Sequence, residues 1–397
     1  NAEQTQEVEQ RLENRYGING QIRTVLHKAL SASVEYNVEQ GTIDRRYAGR
    51  VPGTLQTYVN RGLEEIQLQI TASLLYGTSI GEYRIGMHYF SRNERNDIRR
   101  VFDINAIDEA TLRSQEQQRD NTAQRARLFG NATIAASKMD TFYLNGLYSL
   151  LRYDTPSTLN FDDRDELQAI SEIRYKRTIS STLTFDITAR AQLLHLIFIK
   201  EQRSSLNNWN RIFTLSPSIT IQSKKFIAHP QFEVLANYTV YDYEQQASET
   251  RSFSFRQISI RDSIQINLSN EYHIEARLYG RHFERGRLYW SDFAETPISR
   301  NDEYFIKILG FRRYLDKWSV GVGARYYALI QKSLILTPSI GISADAVQRF
   351  YGPEVQCDYR LGSGSTIVLN GWYERQTVNG VAIRYVPNLF LNTNIVL

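Results

Sequence analysis

Residues 64–76 read Glu-Glu-Ile-Gln-Leu-Gln-Ile-Thr-Ala-Ser-Leu-Leu-Tyr, and their alternation predicts one long β-strand. The apolar side chains share one face: Ile66, Leu68, Ile70, Ala72, Leu74 and Tyr76. The polar side chains share the other face: Glu65, Gln67, Gln69, Thr71 and Ser73. A strand of about 11–13 residues is longer than the usual five or six of a globular sheet. It has the length that a tilted strand needs to cross a bilayer with lipid on one side and water on the other.

The same period of two recurs along the chain, for example at 29–40, 82–91, 181–195 and 271–282. The longest apolar run is short, from Leu193 to Ile199, and contains a histidine. No segment approaches the roughly 18–20 apolar residues of a transmembrane helix. The chain is therefore predicted to be all-β, and a helical membrane protein is excluded.

The connections between the predicted strands alternate in length. Short turns fall near 77–81, 179–181 and 315–317, whereas longer polar segments fall between them, for example near 41–62 and 285–302. Outer-membrane barrels show this pattern, with short periplasmic turns and longer extracellular loops. We therefore predict a transmembrane antiparallel up-and-down β-barrel of about 16 strands, with roughly 14 to 18 left open.

Two stretches depart from the pattern. Residues 1–24 are predicted to form a periplasmic or plug-like segment, because Val8, Leu12 and Tyr16 recur every four residues as in a short helix. Residues 92–125 are predicted to be the longest external loop, with a helical piece at 106–118 that either narrows the pore or caps it. The remaining chain, 25–397, is predicted to be a single barrel domain.

Tyrosines are abundant, and those on the apolar side of the alternation are candidates for interfacial girdles. The lipid-facing or girdle candidates are Tyr36, Tyr76, Tyr83, Tyr89, Tyr272, Tyr326 and Tyr373. The predicted surroundings are the lipid bilayer and a lipopolysaccharide-type outer leaflet.

Charged residues on the polar side are predicted to face the lumen, because an arginine facing lipid at the midplane costs roughly 2–4 kcal/mol. The basic candidates are Arg84, Arg127, Arg174, Arg190, Arg261, Arg277, Arg281, Arg325 and Arg360. The acidic candidates are Glu172, Asp186, Glu233, Glu275, Asp358 and Glu374. Since the two signs nearly cancel, the pattern allows either a weakly selective pore or an interior closed by Arg–carboxylate pairs.

Other chemistries find little support in the sequence. The 47 basic residues are interleaved with 43 acidic ones, so a nucleic-acid-binding surface is not predicted. The six histidines show no metal-ligand spacing, and neither a metal site nor a cofactor is predicted. Cys357, the single cysteine, lies on the apolar side of its strand and is expected to behave as a small hydrophobe.

Taken together, the alternating strands, the tyrosines, the loop lengths and the terminal segment 385–397 resemble a Gram-negative outer-membrane β-barrel. The terminal residue departs from that pattern, because such barrels often end in an aromatic residue and this chain ends in Leu397. No recognisable plug domain precedes the predicted barrel, which argues against a TonB-dependent transporter.

The resemblance implies a place in the cell outer membrane and leaves three functions open. The first is a porin-like channel for passive diffusion of small polar solutes through an Arg-rich lumen. The second is a non-conducting scaffold that binds other envelope proteins through 1–24 or the external loops. The third is a hydrolase at the barrel rim, although the sequence predicts no catalytic residue and favours a protein that is not an enzyme.

Overall fold

The computed structural model describes residues 7–49, 57–101, 106–244, 252–314, 317–334, 345–361 and 364–395. Within them the chain is almost entirely β-strand, and one antiparallel sheet holds 18 strand segments. The first nine are β1 (Glu7–His27), β2 (Leu30–Gly49), β3 (Thr57–Thr78), β4 (Gly81–Val101), β5 (Asn121–Ala135), β6 (Asp140–Asp154), β7 (Arg164–Ser180), β8 (Leu183–Phe198) and β9 (Asn208–Gln222). The others are β10 (Phe226–Ala228), β11 (Gln231–Tyr241), β12 (Phe253–Asn267), β13 (Tyr272–Tyr289), β14 (Ala294–Tyr314), β15 (Trp318–Ser333), β16 (Asp345–Arg360), β17 (Thr366–Val378) and β18 (Val381–Asn394).

Each strand pairs with the next in sequence, as an up-and-down sheet requires, and one strand is interrupted. Both β10 and β11 pair with β9 on one side and β12 on the other, so they are two pieces of one crossing. The break falls at His229 and Pro230, because proline has no backbone N–H to donate to the ladder. The predicted number of about 16 strands is not matched exactly, since the sheet has 18 segments, which is the upper end of the range that the sequence left open.

The predicted segment 1–24 is wrong as a plug-like or helical element. Glu7–His27 is instead the strand β1, paired with β2 along its length, for example Leu12 with Asp44 and Ile18 with Val38. A spacing of four residues fits a helical turn but is also a multiple of two. Leu12, Tyr16, Ile18 and Ile22 therefore lie on one face of an extended strand.

The long external loop predicted for 92–125 is also too long. Strand β4 continues to Val101, the helix α1 spans Ala106–Gln117, and β5 begins at Asn121. The strands are longer than predicted, because they continue past the roughly 9–11 residues that a tilted strand needs to cross a bilayer. Strand β3, for example, has 22 residues. The second helix, α2, is a single turn at Glu201–Ser204. No helix in the described ranges is long and apolar enough to cross a membrane.

The two faces of the sheet differ in character, and we call them the polar face and the apolar face. Large side chains on the apolar face are exposed, such as Ile66 at 56%, Ile85 at 65% and Leu128 at 59%. The densest packing is on the polar face between β13 and β17, where Leu309, Phe311 and Glu354 are buried. An exposed apolar face over a packed polar one is the inverse of a soluble sheet, and it is what a lipid environment requires.

The outer strands of the sheet leave two edges. Among the described residues, β1 pairs with β2 alone and β18 with β17 alone. Their side chains are exposed on both faces over most of their length.

Candidate functional site

The strand register places all the charged residues predicted to face the lumen on one side of the sheet. Residues directly opposite each other in neighbouring strands point to the same face, so the pairings can be followed from strand to strand. The series runs through His88–Arg127, Asn145–Glu172 and Glu172–Arg190 to Lys307–Arg325. It places the nine arginines and six acids on the polar face, together with Gln67 and Gln69 of the opening stretch. That this face lines a lumen stays a prediction.

The girdle tyrosines all lie on the opposite, apolar face, at two levels. Tyr76, Tyr83 and Tyr272 are beside short turns, and the rings of Tyr76 and Tyr83 are 6.2 Å apart. The other four lie farther along their strands: Tyr36, Tyr89, Tyr326 and Tyr373. Their contact with a lipid interface is likewise still a prediction.

Three of the predicted arginines are neutralised by carboxylates. Arg174 Nε donates to Asp186 Oδ1 at 2.7 Å, and Arg281 Nη2 lies 2.6 Å from Glu303 Oε2. Arg325 Nε donates to Glu354 Oε2 at 2.6 Å, and its guanidinium stacks 3.9 Å from the centre of the Trp372 ring. These pairs are the expected structural use of arginine, since a guanidinium and a carboxylate match in geometry and charge.

The acids among the predicted residues are mostly held by uncharged partners or by the pairs above. Asn145 donates to Glu172 at 3.1 Å, and Ser216 and Gln257 donate to Glu233. Glu374 lies 3.9 Å from Arg325, and Glu275 lies 3.4 Å from His273. Asp358 accepts a hydrogen bond from Gln356 at 2.9 Å.

The remaining predicted arginines make no ion pair within 4.0 Å in the part of the chain that the structure describes. They are Arg84, Arg127, Arg190, Arg261, Arg277 and Arg360. Arg84 donates to Ser73 at 3.3 Å and Arg190 to Gln192 at 3.4 Å, so their partners are neutral. The near balance of charge in the composition therefore does not hold locally, and the polar face carries unneutralised cations.

One of these cations, Arg127, meets a further arginine, Arg125, in a cavity of about 390 Å³, which we call the arginine pocket. Residues with polar side chains line it together with Leu194, His195 and Leu196 of β8; apart from His195 they are Arg125, Arg127, Ser149, Glu166, Gln168, Asn208 and Asn210. Its one acid, Glu166, is paired with Arg164 at 2.8 Å. Arg127 Nε, Asn210 Oδ1 and the adjacent His88 Nδ1 are buried without a hydrogen-bond partner. The pocket thus offers positive charge and free polar atoms to a ligand.

A second cavity of about 250 Å³ lies near the short turns and brings together Glu275, Asp358 and Arg360. Its charges are mixed, and the ring of His273 stacks 4.8 Å from Phe311. No group of three or more His, Cys, Asp or Glu side chains in the described ranges could hold a metal ion.

The sequence-based prediction missed Arg125 of the arginine pocket and three members of the ion pairs on the polar face: Lys307, Glu303 and Glu354. Arg125 shares the parity of Arg127 and was omitted because 92–125 was predicted to be a loop. Lys307, Glu303 and Glu354 lie in predicted strands, and the alternation that identified Asp358 also applies to Glu354. Their burial and partners depend on neighbouring strands, which the sequence does not show.

A His–Asp pair near the end of β8 bears on the hydrolase hypothesis. His195 Nε2 lies 3.0 Å from Asp242 Oδ2, and the imidazole stacks on Trp209 with ring centres 4.0 Å apart. A triad also needs a nucleophile held by the histidine. No hydroxyl group among the described residues makes a hydrogen bond to His195, so the hydrolase hypothesis gains no support from this pair.

Comparison with known proteins supports the fold. No family model matches the chain, and no curated protein matches its sequence. The copper transporter OprC superposes with a TM-score of 0.52 at 12% identity, over 90% of this chain and 58% of the transporter. The ferric preacinetobactin receptor BauA from Acinetobacter baumannii has a TM-score of 0.49 at 8% identity, over 93% and 61%. The unliganded ferric citrate transporter FecA has a TM-score of 0.41 at 11% identity, over 93% and 60%.

The chain thus spans about three fifths of the length of these structures. The predicted antiparallel β-barrel fold is confirmed by the likeness to OprC.

Proposed function

We propose that the protein is an outer-membrane transport protein for small anionic solutes, and that its polar face lines the path. The observation that carries the proposal is the arginine pocket, where Arg125 and Arg127 lie side by side without a carboxylate partner. A cavity of about 390 Å³ is large enough for a small organic anion. Passive diffusion, as in a porin, has no specific support from the structural neighbours, so a binding step at this pocket is preferred.

The chemistry of recognition follows from the donors present. Two guanidinium groups bind carboxylate or phosphate oxygens in forked geometry, and the amides of Gln168 and Asn210 can orient the uncharged part of the solute. The unpartnered Arg127 Nε supports a ligand-binding role, since a buried donor without a partner is costly unless a ligand satisfies it. The likeness to OprC, which is named as a transporter, agrees with transport as the general role.

The experiment is solute uptake into proteoliposomes that contain the purified protein. Uptake of a small dicarboxylate is compared with that of a neutral sugar of similar size, for the parent protein and the double variant Arg125→Gln, Arg127→Gln. We expect the variant to lose most of the preference for the anion, roughly tenfold or more, because two charge-assisted contacts disappear. Arg92→Gln is the matched control, since Arg92 lies on the same face but is paired with Glu94 at 3.1 Å. Equal preference in the double variant and the parent would refute the proposal.

A further inference from the structure

A cluster of aromatic and charged side chains lies on the apolar face at the long-loop end of β8, β9, β11 and β13. Arg211 is at its centre, with its guanidinium carbon 5.2 Å from the Trp209 ring and 4.4 Å from the Trp290 ring. Tyr238 flanks Trp290 with ring centres 6.2 Å apart. We call these four residues the Arg211 cluster. None of them belongs to the polar face or to the arginine pocket.

The height of the cluster follows from the strand sequences. On the apolar face of β8, every second residue from Phe185 to Leu193 is apolar, and the next is His195. On β9, the apolar band runs from Ile221 back to Phe213, and the next positions are Arg211 and Trp209. A band of about nine to eleven residues is what a tilted strand needs to cross the hydrocarbon layer. Arg211 therefore lies at the first level beyond the lipid tails, where headgroups begin.

The side of the membrane follows from the loops. The cluster adjoins the connection 199–207, whereas the opposite ends of the same strands carry the short turn at 181–182. Longer loops face outward in outer-membrane barrels, so the headgroups beside Arg211 are those of the outer leaflet.

The charge of Arg211 is not neutralised within the described chain. It makes no ion pair within 4.0 Å, and its Nη1 is buried without a hydrogen-bond partner. Asp242, an acid whose charge acts on Arg211, is engaged with His195 at 3.0 Å. Other arginines on the apolar face at this end do have carboxylate partners, such as Arg256 with Glu295 and Arg300 with Glu284. Two indole rings hold the cation in place, and its buried Nη1 has no acceptor among the described residues, which an anion would supply.

We propose that the Arg211 cluster is a binding site for the phosphorylated glycolipid headgroup of a lipopolysaccharide-type outer leaflet. A phosphate group would accept hydrogen bonds from the Arg211 guanidinium, and a sugar ring would lie against Trp290, which is 36% exposed. An arginine at the level of the headgroups is stabilised by a phosphate, whereas an arginine that faces the lipid tails is destabilised. None of the four residues of the Arg211 cluster lines the proposed transport path, so the outcome of the test below does not depend on the proposed anion transport.

The test measures lipid A binding by native mass spectrometry of the purified, folded protein in detergent. The probes are bis-phosphorylated lipid A, the same lipid without its phosphates, and phosphatidylglycerol. We expect Arg211→Gln to weaken binding of bis-phosphorylated lipid A about tenfold or more, and removal of the phosphates to weaken binding to the parent protein similarly. Trp290→Leu should weaken it to a smaller extent.

Arg256→Gln is the matched control, because Arg256 also lies on the apolar face at this end but is paired. It should bind lipid A as the parent does. The altered migration of folded barrels in unheated gels shows whether each variant is folded. If Arg211→Gln does not fold, Arg211→Lys replaces it. Lysine keeps the charge but lacks the forked donor geometry, so Arg211→Lys should bind lipid A at an intermediate level. Equal binding by Arg211→Gln and Arg256→Gln would overturn the proposal, as would binding of phosphatidylglycerol as tight as that of lipid A.

Discussion

Arg325 and Glu354 form an ion pair that is shielded from solvent on the polar face, with Arg325 Nε 2.6 Å from Glu354 Oε2 and the carboxylate fully buried. Lys307 donates to the other oxygen of the same carboxylate, and Asn370 Nδ2 donates to it at 2.7 Å. One acid on β16 thus joins β14, β15 and β17. A buried carboxylate shared by two cations is stabilising only while all the partners are present.

Glu354→Gln should therefore destabilise the fold strongly. The substitution leaves two buried cations, Lys307 and Arg325, without their common counter-charge, and breaking such a pair costs about 3–5 kcal/mol. The measurement is urea unfolding in detergent, followed by tryptophan fluorescence, which Trp372 beside Arg325 should report. Glu172→Gln serves as the control, because Glu172 has only a neutral hydrogen-bond partner and its loss should cost less than about 1.5 kcal/mol. A similar midpoint for the two variants would contradict the structural role of Glu354.

The assignment of the two faces can be tested with neighbouring residues of β9. Leu215 lies on the apolar face and is 44% exposed, whereas Ser216 lies on the polar face and donates to Glu233 at 3.4 Å. Leu215→Arg should destabilise the folded protein in bilayers by roughly 2–4 kcal/mol, because the guanidinium would face lipid. Ser216→Arg should be tolerated, since the new cation would lie opposite Glu233. Refolding yield into vesicles measures both, and the reverse order of effects would mean that the faces are assigned wrongly.

Gly352 is required by the close approach of two strands. A Cβ atom added there would lie 1.7 Å from the backbone oxygen of Tyr373, which cannot move without breaking the ladder. Gly352→Ala should therefore cost at least about 1–3 kcal/mol through overpacking. At Gly371 the nearest atom to an added Cβ is 3.6 Å away, so Gly371→Ala should have little effect. Thermal unfolding of the two variants provides the comparison, and an unchanged melting temperature for Gly352→Ala would count against the observed packing of β16 on β17.

Acid should loosen the two outer loops that Asp163 joins. Its carboxylate accepts a hydrogen bond from the Thr155 backbone N–H at 2.8 Å and lies 3.1 Å from Lys200 Nζ. Burial opposes ionisation of Asp163, but these hydrogen bonds outweigh it and hold the pKa of this carboxyl below its usual range. Its stabilising contribution is thus complete above the ordinary aspartate pKa of about 4 and is lost as the pH falls through the lowered value.

The measurement is the rate of amide hydrogen exchange in residues 155–163 and 199–207 at pH 7 and near pH 3, corrected for intrinsic rates. We expect loss of protection at the lower pH, and Asp163→Asn should show that loss already at pH 7. Glu201→Gln, in the same loop but without an ion pair among the described residues, should behave as the parent does. Unchanged protection in Asp163→Asn would show that the carboxylate does not hold the loops.

The sequence by itself determined the faces of the strands. Because side chains alternate strictly along an extended chain, counting from Leu68 or Ile187 sufficed to separate apolar from polar positions, and the register places all the predicted residues accordingly. The same rule failed for Glu7–His27, where a spacing of four residues suits both a helix and a strand. The alternation also predicted strands that are shorter than the observed ones. Beyond the length that faces lipid, both faces of a strand carry polar residues, so the alternation ends before the strand does.

Only the tertiary structure decided which charges are neutralised. Arg174 and Arg127 look alike in the sequence, yet Arg174 meets Asp186 across a strand boundary and Arg127 meets no acid in the described chain. Pairing depends on register between strands, and register is set by turns and by the whole sheet. The alternation in residues 64–76 thus determines which side chains share a face of the sheet, whereas the contacts between strands decide which charges on that face are left without a partner of opposite sign.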